Sequence, residues 1–243
     1  MRRSPARGRA LAVAGAALLV AGCGANTTSE FPVADGFKPL ESQGNQLWPD
    51  LATNTLPAFT SGPGTPHGTG QSYYDAWGHA YVPYPLSAVW AALQDPRTSH
   101  IHVPSGGTVT PIPGVEGALF PLSFRIDYTS PTGLPLTPDV DWEITYRGGA
   151  LQGSIATPAD IDSATTPTEI GLRFQKTWGT PHIQIESGSL VASLVPNSNP
   201  PVTQVEFIDW LQADTQGQSD VEGTVNDMYN NLVFKLANPT KSP

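Results

Sequence analysis

The sequence predicts an α+β fold, a curved antiparallel sheet of about seven strands wrapped around one long C-terminal helix. Three observations lead there. Several segments between residues 122 and 213 alternate apolar and polar side chains with period two, the mark of antiparallel strands wet on one face. One short helical pattern follows an early strand. A single long apolar stripe of helical period closes the chain.

The elements follow in order. Tyr81 to Tyr84 reads as a short strand stopped by Pro85. Ser87 is placed to cap a short helix holding Val89, Trp90 and Leu93, which ends at Asp95-Pro96. In the next strand Leu122, Phe124, Ile126 and Tyr128 oppose Ser123, Arg125 and Asp127. Val140, Trp142, Ile144 and Tyr146 then oppose Asp139, Asp141, Glu143, Thr145 and Arg147. Ile170, Leu172 and Phe174 oppose Glu169, Gly171, Arg173 and Gln175. Between His182 and Val195 the phase reverses, from odd Ile183 and Ile185 to even Leu190, Ala192 and Leu194. A bulge at Ser187-Gly188 accounts for the reversal, and a hairpin turn there is the alternative. Val202 to Ala213 is a further long strand. In the closing helix Val221, Val225, Met228, Tyr229, Leu232, Val233 and Leu236 form one stripe. Asp220 and Glu222 near its start and Lys235 near its end suit the helix dipole, and Asn238-Pro239 stops it.

The N-terminal segment has a different character. Arg2, Arg3, Arg7 and Arg9 precede an apolar run from Ala10 to Ala21. That run is well short of the ~20 residues a spanning helix needs. A basic start and a short apolar stretch ending in small residues describe a secretory signal peptide, residues 1–22. Val20-Ala21-Gly22-Cys23 resembles the lipobox of bacterial lipoproteins. The resemblance implies cleavage before Cys23, a diacylglycerol on its sulfur, and further acylation (palmitate or a similar chain) at the new amino terminus. Two or more chains anchor a protein stably where one would be marginal. Cys23 is the one cysteine, so the core must form without an internal disulfide. Residues 23–72 read as a lipid-anchored tether, rich in Gly, Pro, Ser, Thr and Asn. Phe31, Phe37, Leu40, Leu47, Trp48, Leu51, Leu56 and Phe59 are more large apolar groups than a plain spacer needs, so part of this arm is expected to pack on the domain or on a partner.

Residues 73–243 carry the periodic pattern, enough to bury about 70% of their unfolded surface. Residues 1–22 hold four arginines and no acid, so the chain from Cys23 has eight basic against 21 acidic residues, a net charge of −13. That argues against nucleic-acid binding, which depends on basic residues neutralising phosphates.

Tyr81-Val-Pro-Tyr-Pro-Leu-Ser-Ala-Val-Trp-Ala-Ala-Leu-Gln-Asp-Pro96 is similar to the opening strand and first helix of the helix-grip proteins. These form the SRPBCC superfamily, which includes START lipid-transfer domains, aromatic polyketide cyclases and the birch-pollen-allergen type. Ser187-Gly-Ser-Leu-Val-Ala-Ser-Leu followed by Val202-Thr-Gln-Val-Glu-Phe resembles their last two strands, and Asp220 to Ala237 their gripping helix. The likeness spans residues 73 to 238, without an evident second short helix in Arg97 to Gly107. It implies a hydrophobic cavity between sheet and helix. A helix of about 17 residues is roughly 25 Å long and cannot fill the concavity of such a sheet. The lining would be Phe124, Ile126, Trp142, Ile144, Tyr146, Leu172, Phe174, Phe207 and Asp209 from the sheet, and Val225, Met228 and Leu232 from the helix.

Candidate chemistry is sparse. His100-Ile101-His102 with Asp95 could suggest a metal, but zinc needs three or four supported ligands, and the histidines read as surface or loop residues. His182 reads as a rim residue. No nucleophile elbow, phosphate loop or dinucleotide fingerprint occurs, and neither cofactor nor metal is expected. Asp209 shares parity with Val205, Phe207 and Leu211, so it is expected to face inward. A carboxylate there would have a raised pKa and could serve as a general acid or base, whereas a register shift or a pairing with Arg173 or Lys176 would make it structural. Trp142, Trp178, Trp210, Tyr146 and Tyr128 could stack on a flat ligand or simply fill the core.

The leading expectation is a membrane-anchored envelope lipoprotein that binds a small hydrophobic or amphipathic ligand, a lipid among the candidates. Its anchor would lie on the outer face of the cytoplasmic membrane or on the outer membrane. The alternatives are an enzyme of cyclase or hydrolase type using the same cavity, and an interaction module with a filled core whose tether recruits a protein partner. A polar inward cluster around Asp209 would favour the enzyme, an empty apolar cavity would favour binding, and a solid core would favour the interaction module.

Overall fold

The structure is a computed structural model that describes residues 55–64, 74–98, 108–111, 121–130, 140–152, 167–179, 183–214 and 217–242. The segment read as a signal peptide, Cys23, most of the stretch read as a tether, His100, His102 and His182 lie outside these residues. The strands are β1 (Thr60–Pro63), β2 (Tyr74–Val82), β3 (Thr108–Pro111), β4 (Leu122–Ser130), β5 (Val140–Gln152), β6 (Glu169–Gly179), β7 (Ile183–Leu194) and β8 (Thr203–Ala213). Helix α1 (Leu86–Leu93) follows β2 and helix α2 (Gln218–Ala237) follows β8.

Among the described residues the eight strands form one antiparallel sheet in the order β1-β2-β8-β7-β6-β5-β4-β3. The chain runs from β2 through α1 to the far edge, then returns strand by strand until β8 lies beside β2. This open α+β sheet with its C-terminal helix is the helix-grip arrangement expected. Both edge strands have four residues and end in proline, Pro63 in β1 and Pro111 in β3.

The sheet begins ahead of the expected boundary at residue 73, because β1 lies inside the stretch read as tether. Phe59, just before β1, stacks on Tyr229 of α2 at 4.1 Å between ring centroids and meets Phe207 edge-on at 6.4 Å. The first strand of the main pattern is also longer than expected, starting at Tyr74 rather than Tyr81. Helix α1 starts two residues earlier than a Ser87 cap requires. Pro85 holds the N-cap position with extended backbone, and no side chain caps the helix.

Period-two alternation places the core. Leu122, Phe124, Ile126 and Tyr128 of β4, Ile144 and Tyr146 of β5, Ile170, Leu172 and Phe174 of β6, and Val205 and Phe207 of β8 are buried together on the inner face. Helix α2 presents Val221, Val225, Met228, Leu232 and Leu236 to the same core. Each such side chain contributes about 1.5–3 kcal/mol when fully buried. The helix packs over β1, β2 and β8, and α1 lies against α2, β6 and β7. Close approach of α2 to β2 depends on Gly78, where a Cβ would come within 2.6 Å of Val225 and 2.9 Å of Phe59.

The ends of α2 are secured by polar contacts. The Asp220 carboxylate accepts the Gly217 backbone N–H at 2.7 Å, and Gln218 donates to the Asp75 carbonyl at 2.8 Å. At the other end Lys235 Nζ meets Asp95 Oδ2 at 2.8 Å, joining the last turn of α2 to the segment after α1.

Candidate functional site

Two irregularities in the sheet determine which polar side chains face inward. In β6, Thr177 is an extra residue between Lys176, opposite Ile144, and Trp178, opposite Glu143. In β7, Gln184 is an extra residue between Ile183, opposite Ala213, and Ile185, opposite Gln212. The phase reversal read from the sequence is therefore real, but the bulge lies at Ile183–Ile185 rather than at Ser187-Gly188. Its position decides the orientation of Glu186. With the bulge ahead of it, Glu186 pairs with Leu211 and shares the inner face with Gly188, Leu190 and Ala192.

The inner face is thus divided along the strands. The half toward α1 is apolar, with Leu122, Gly148, Leu172 and Leu190 in line across four strands. The half toward the start of α2 holds Tyr128, Trp142, Tyr146, Lys176, Glu186 and Asp209. Aromatic rings form its floor: Phe124 stacks on Tyr146 at 4.7 Å, Tyr146 leans on Phe174 at 5.5 Å, and Tyr128 stacks on Trp142 at 4.9 Å. Gly188 leaves room for this floor, since a Cβ there would collide with the Phe174 ring and the Ile208 carbonyl oxygen.

The polar groups are coupled. The Tyr128 and Tyr146 hydroxyls hydrogen-bond each other, and burial raises both pKa values well above the ordinary phenol range. Asp209 is 2% exposed. Burial, reinforced by the like charge of Glu186, lifts its pKa well above the usual carboxylate range, against the pull of the Trp210 N–H and the Thr224 hydroxyl of α2. Its Oδ1 has no hydrogen-bond partner. Protein atoms surround Glu186, yet it keeps some accessible surface. Burial raises its pKa to about 7, while the Lys176 ammonium and the Trp142 indole N–H partly offset that rise. Lys176 is wholly buried, its pKa lowered by burial, and its Nζ donates to the Ile183 carbonyl.

Of the sequence-derived lining residues, Phe124, Ile126, Ile144, Tyr146, Leu172, Phe174 and Phe207 are buried on the inner face with Asp209, and Trp142 is half-buried beside them. Val225, Met228 and Leu232 have no exposed surface. Two stacking candidates fall elsewhere. Trp210 pairs with Asp75 and Ser187 on the outer face, and Trp178 is 38% exposed. Arg173 lies on the outer face opposite Arg147, so it is no partner for Asp209. The sequence reading does not single out Glu186, because a bulge at Ser187-Gly188 would turn it outward. Its even number, shared with Leu190 and Ala192, is the signal that finds it once the bulge is placed earlier. Among the described residues no cluster of three or more potential metal ligands occurs.

No family model matches the chain, and no curated protein matches it. Many solved structures are similar to it, three of them as follows. The Zhui aromatase/cyclase from Streptomyces sp. R1128 is 11% identical, with a TM-score of 0.38 over 70% of this chain and 99% of that one. Protein TTHA0849 from Thermus thermophilus is 12% identical, with a TM-score of 0.35 over 65% and 96%. Protein CV1439 from Chromobacterium violaceum is 10% identical, with a TM-score of 0.40 over 67% and 96%.

Proposed function

We propose that this protein is an envelope lipoprotein, anchored through Cys23, that binds a small amphipathic molecule against the inner face of its sheet. The carrying observation is the division of that face into an aromatic and aliphatic floor and one polar end where Glu186 stays accessible. Such a surface suits a ligand with a mostly apolar body and one polar group, because few polar groups fix orientation while apolar area supplies affinity. The anchor would hold this domain at the outer face of the cytoplasmic membrane or at the outer membrane. The acidic charge of the chain argues against nucleic acid as a partner.

Two measurements test this reading. Protein purified from its own membranes is expected to carry a small molecule detectable by native mass spectrometry and identifiable after organic extraction. Ligand-free protein that also takes up no apolar fluorescent probe would reject binding. Cys23→Ser is expected to shift the protein from the membrane to the soluble fraction, and undiminished membrane retention would reject the anchor. The polar end also supports a second reading, catalysis at the same site.

A further inference from the structure

We propose that Glu186, Asp209 and the Tyr128–Tyr146 pair form an acid–base site that enolises a small, largely apolar carbonyl compound bound on the inner face. The inference rests on the binding reading above and gives it a substrate class.

Geometry carries the assignment. Gly188 and Glu186 of β7 lie opposite Asp209 and Leu211 of β8, so the two carboxyl groups are diagonal neighbours on one face. Tyr146 and Tyr128 stand on that same face, on β5 and β4. Glu186 is the less buried residue of the two, although protein atoms surround its carboxyl group. Asp209 is the enclosed one, with an oxygen that nothing in the protein contacts as a hydrogen-bond partner. A pair that served structure alone would leave no unused oxygen beside a second inward acid.

The division of labour follows from the environments. Asp209 sits where its neutral form is favoured, so it can donate an O–H. Glu186 titrates near neutrality, which suits a general base. The groups facing Glu186 are Lys176 from β6, Asp209 from β8, Tyr146 and the Trp142 indole from β5, and Tyr128 from β4. Lys176 already serves the Ile183 carbonyl, and two acids flank the site, so a phosphate or carboxylate ligand is disfavoured. A neutral carbonyl is suited, because its oxygen gains negative charge only as the reaction proceeds.

In the step, the Glu186 carboxylate takes a proton from the carbon next to the carbonyl. The C–H electron pair forms a carbon–carbon double bond, and the carbonyl π pair moves onto oxygen. That oxygen accepts hydrogen bonds from the Asp209 carboxyl O–H and a tyrosine O–H. Glu186 then returns the proton to the same carbon, or to a conjugated one with a shift of the double bond. No oxidant, reductant or co-reactant is needed.

The test uses the full-length protein in detergent with 1-tetralone in D2O, following exchange of the hydrogens next to the carbonyl by mass spectrometry. Affinity for 1-naphthol, a planar analogue of the enol, is measured by fluorescence in parallel. Wild type is expected to exceed the buffer rate, with a rate that rises with pH and levels above about 7. Glu186→Gln should lower exchange at least ~100-fold, the usual worth of a general base, with little change in 1-naphthol affinity. Asp209→Asn should lower both exchange and affinity. If Glu186→Gln fails to fold by circular dichroism, Glu186→Asp replaces it and should retain measurable exchange that Asp209→Asn lacks. Binding of 1-naphthol without exchange above buffer overturns the catalytic proposal and leaves the binding reading intact. Unchanged exchange in Glu186→Gln overturns it equally. Failure to bind either compound removes both.

Discussion

Glu186 owes its inward position to one extra residue, Gln184, two places before it. Without that bulge the carboxylate would face water on the outer side of the sheet and its pKa would have little reason to move. Burial instead raises its pKa from 4.5 to about 7. The sign of the linked stability effect is fixed by this. Between those pH values the folded state holds a proton that the unfolded chain has released, so stability falls as pH rises from about 4.5 to about 7 and is level above that range. Asp209 adds to the fall, beginning near its ordinary value of 3.8. Glu186→Gln removes its own share. Urea unfolding should show the variant gaining on wild type by up to ~3 kcal/mol at pH 8, and by much less at pH 5. An equal difference at both pH values would mean that Glu186 is not held in this environment.

At the scale of elements, α2 is held by its apolar stripe more than by its polar ends. Leu232 is fully buried, and Leu232→Ala is expected to cost ~2–5 kcal/mol in denaturant midpoint measurements. The Lys235–Asp95 contact is worth less, about 1 kcal/mol, because both groups retain some exposure. Burial opposes ionisation of Asp95, but hydrogen bonds from Lys235, the Arg97 backbone and Ser242, with the Lys235 charge, hold its pKa below the usual value. That contribution is present above about pH 4 and is lost as pH falls through the lowered pKa. Gly78→Ala should separate α2 from β2 and cost about 1–3 kcal/mol, since Val225 and Phe59 already occupy the space.

The same elements show what could be seen in advance. Clean alternation in β4 and the continuous stripe of α2 were legible, because burial on one face imposes a period on the residues themselves. Asp209 was legible for the same reason, through its parity with Val205 and Phe207. The reversal in β7 was visible, but its exact place was not, because Ile183 and Leu190 bracket several equivalent bulge sites. Strand β1 was hidden by its composition: Thr-Ser-Gly-Pro reads as linker, and its pairing with β2 is a tertiary fact.

At the scale of the whole molecule, the domain extends back to include β1 and Phe59. A fragment starting at residue 55 is therefore expected to unfold at a higher temperature than one starting at residue 73. The shorter fragment loses an edge strand and the ring stacked on Tyr229. Equal melting temperatures would mean that β1 adds nothing to the fold. The two edges have a further bearing on crowding. At high local concentration copies of a protein meet often, and an open sheet has two borders where another strand could add. Here, among the described residues, the outermost strand at each border is only four residues long and ends in a residue with no N–H to donate. Copies of the domain can be crowded together without their sheets joining into ribbons.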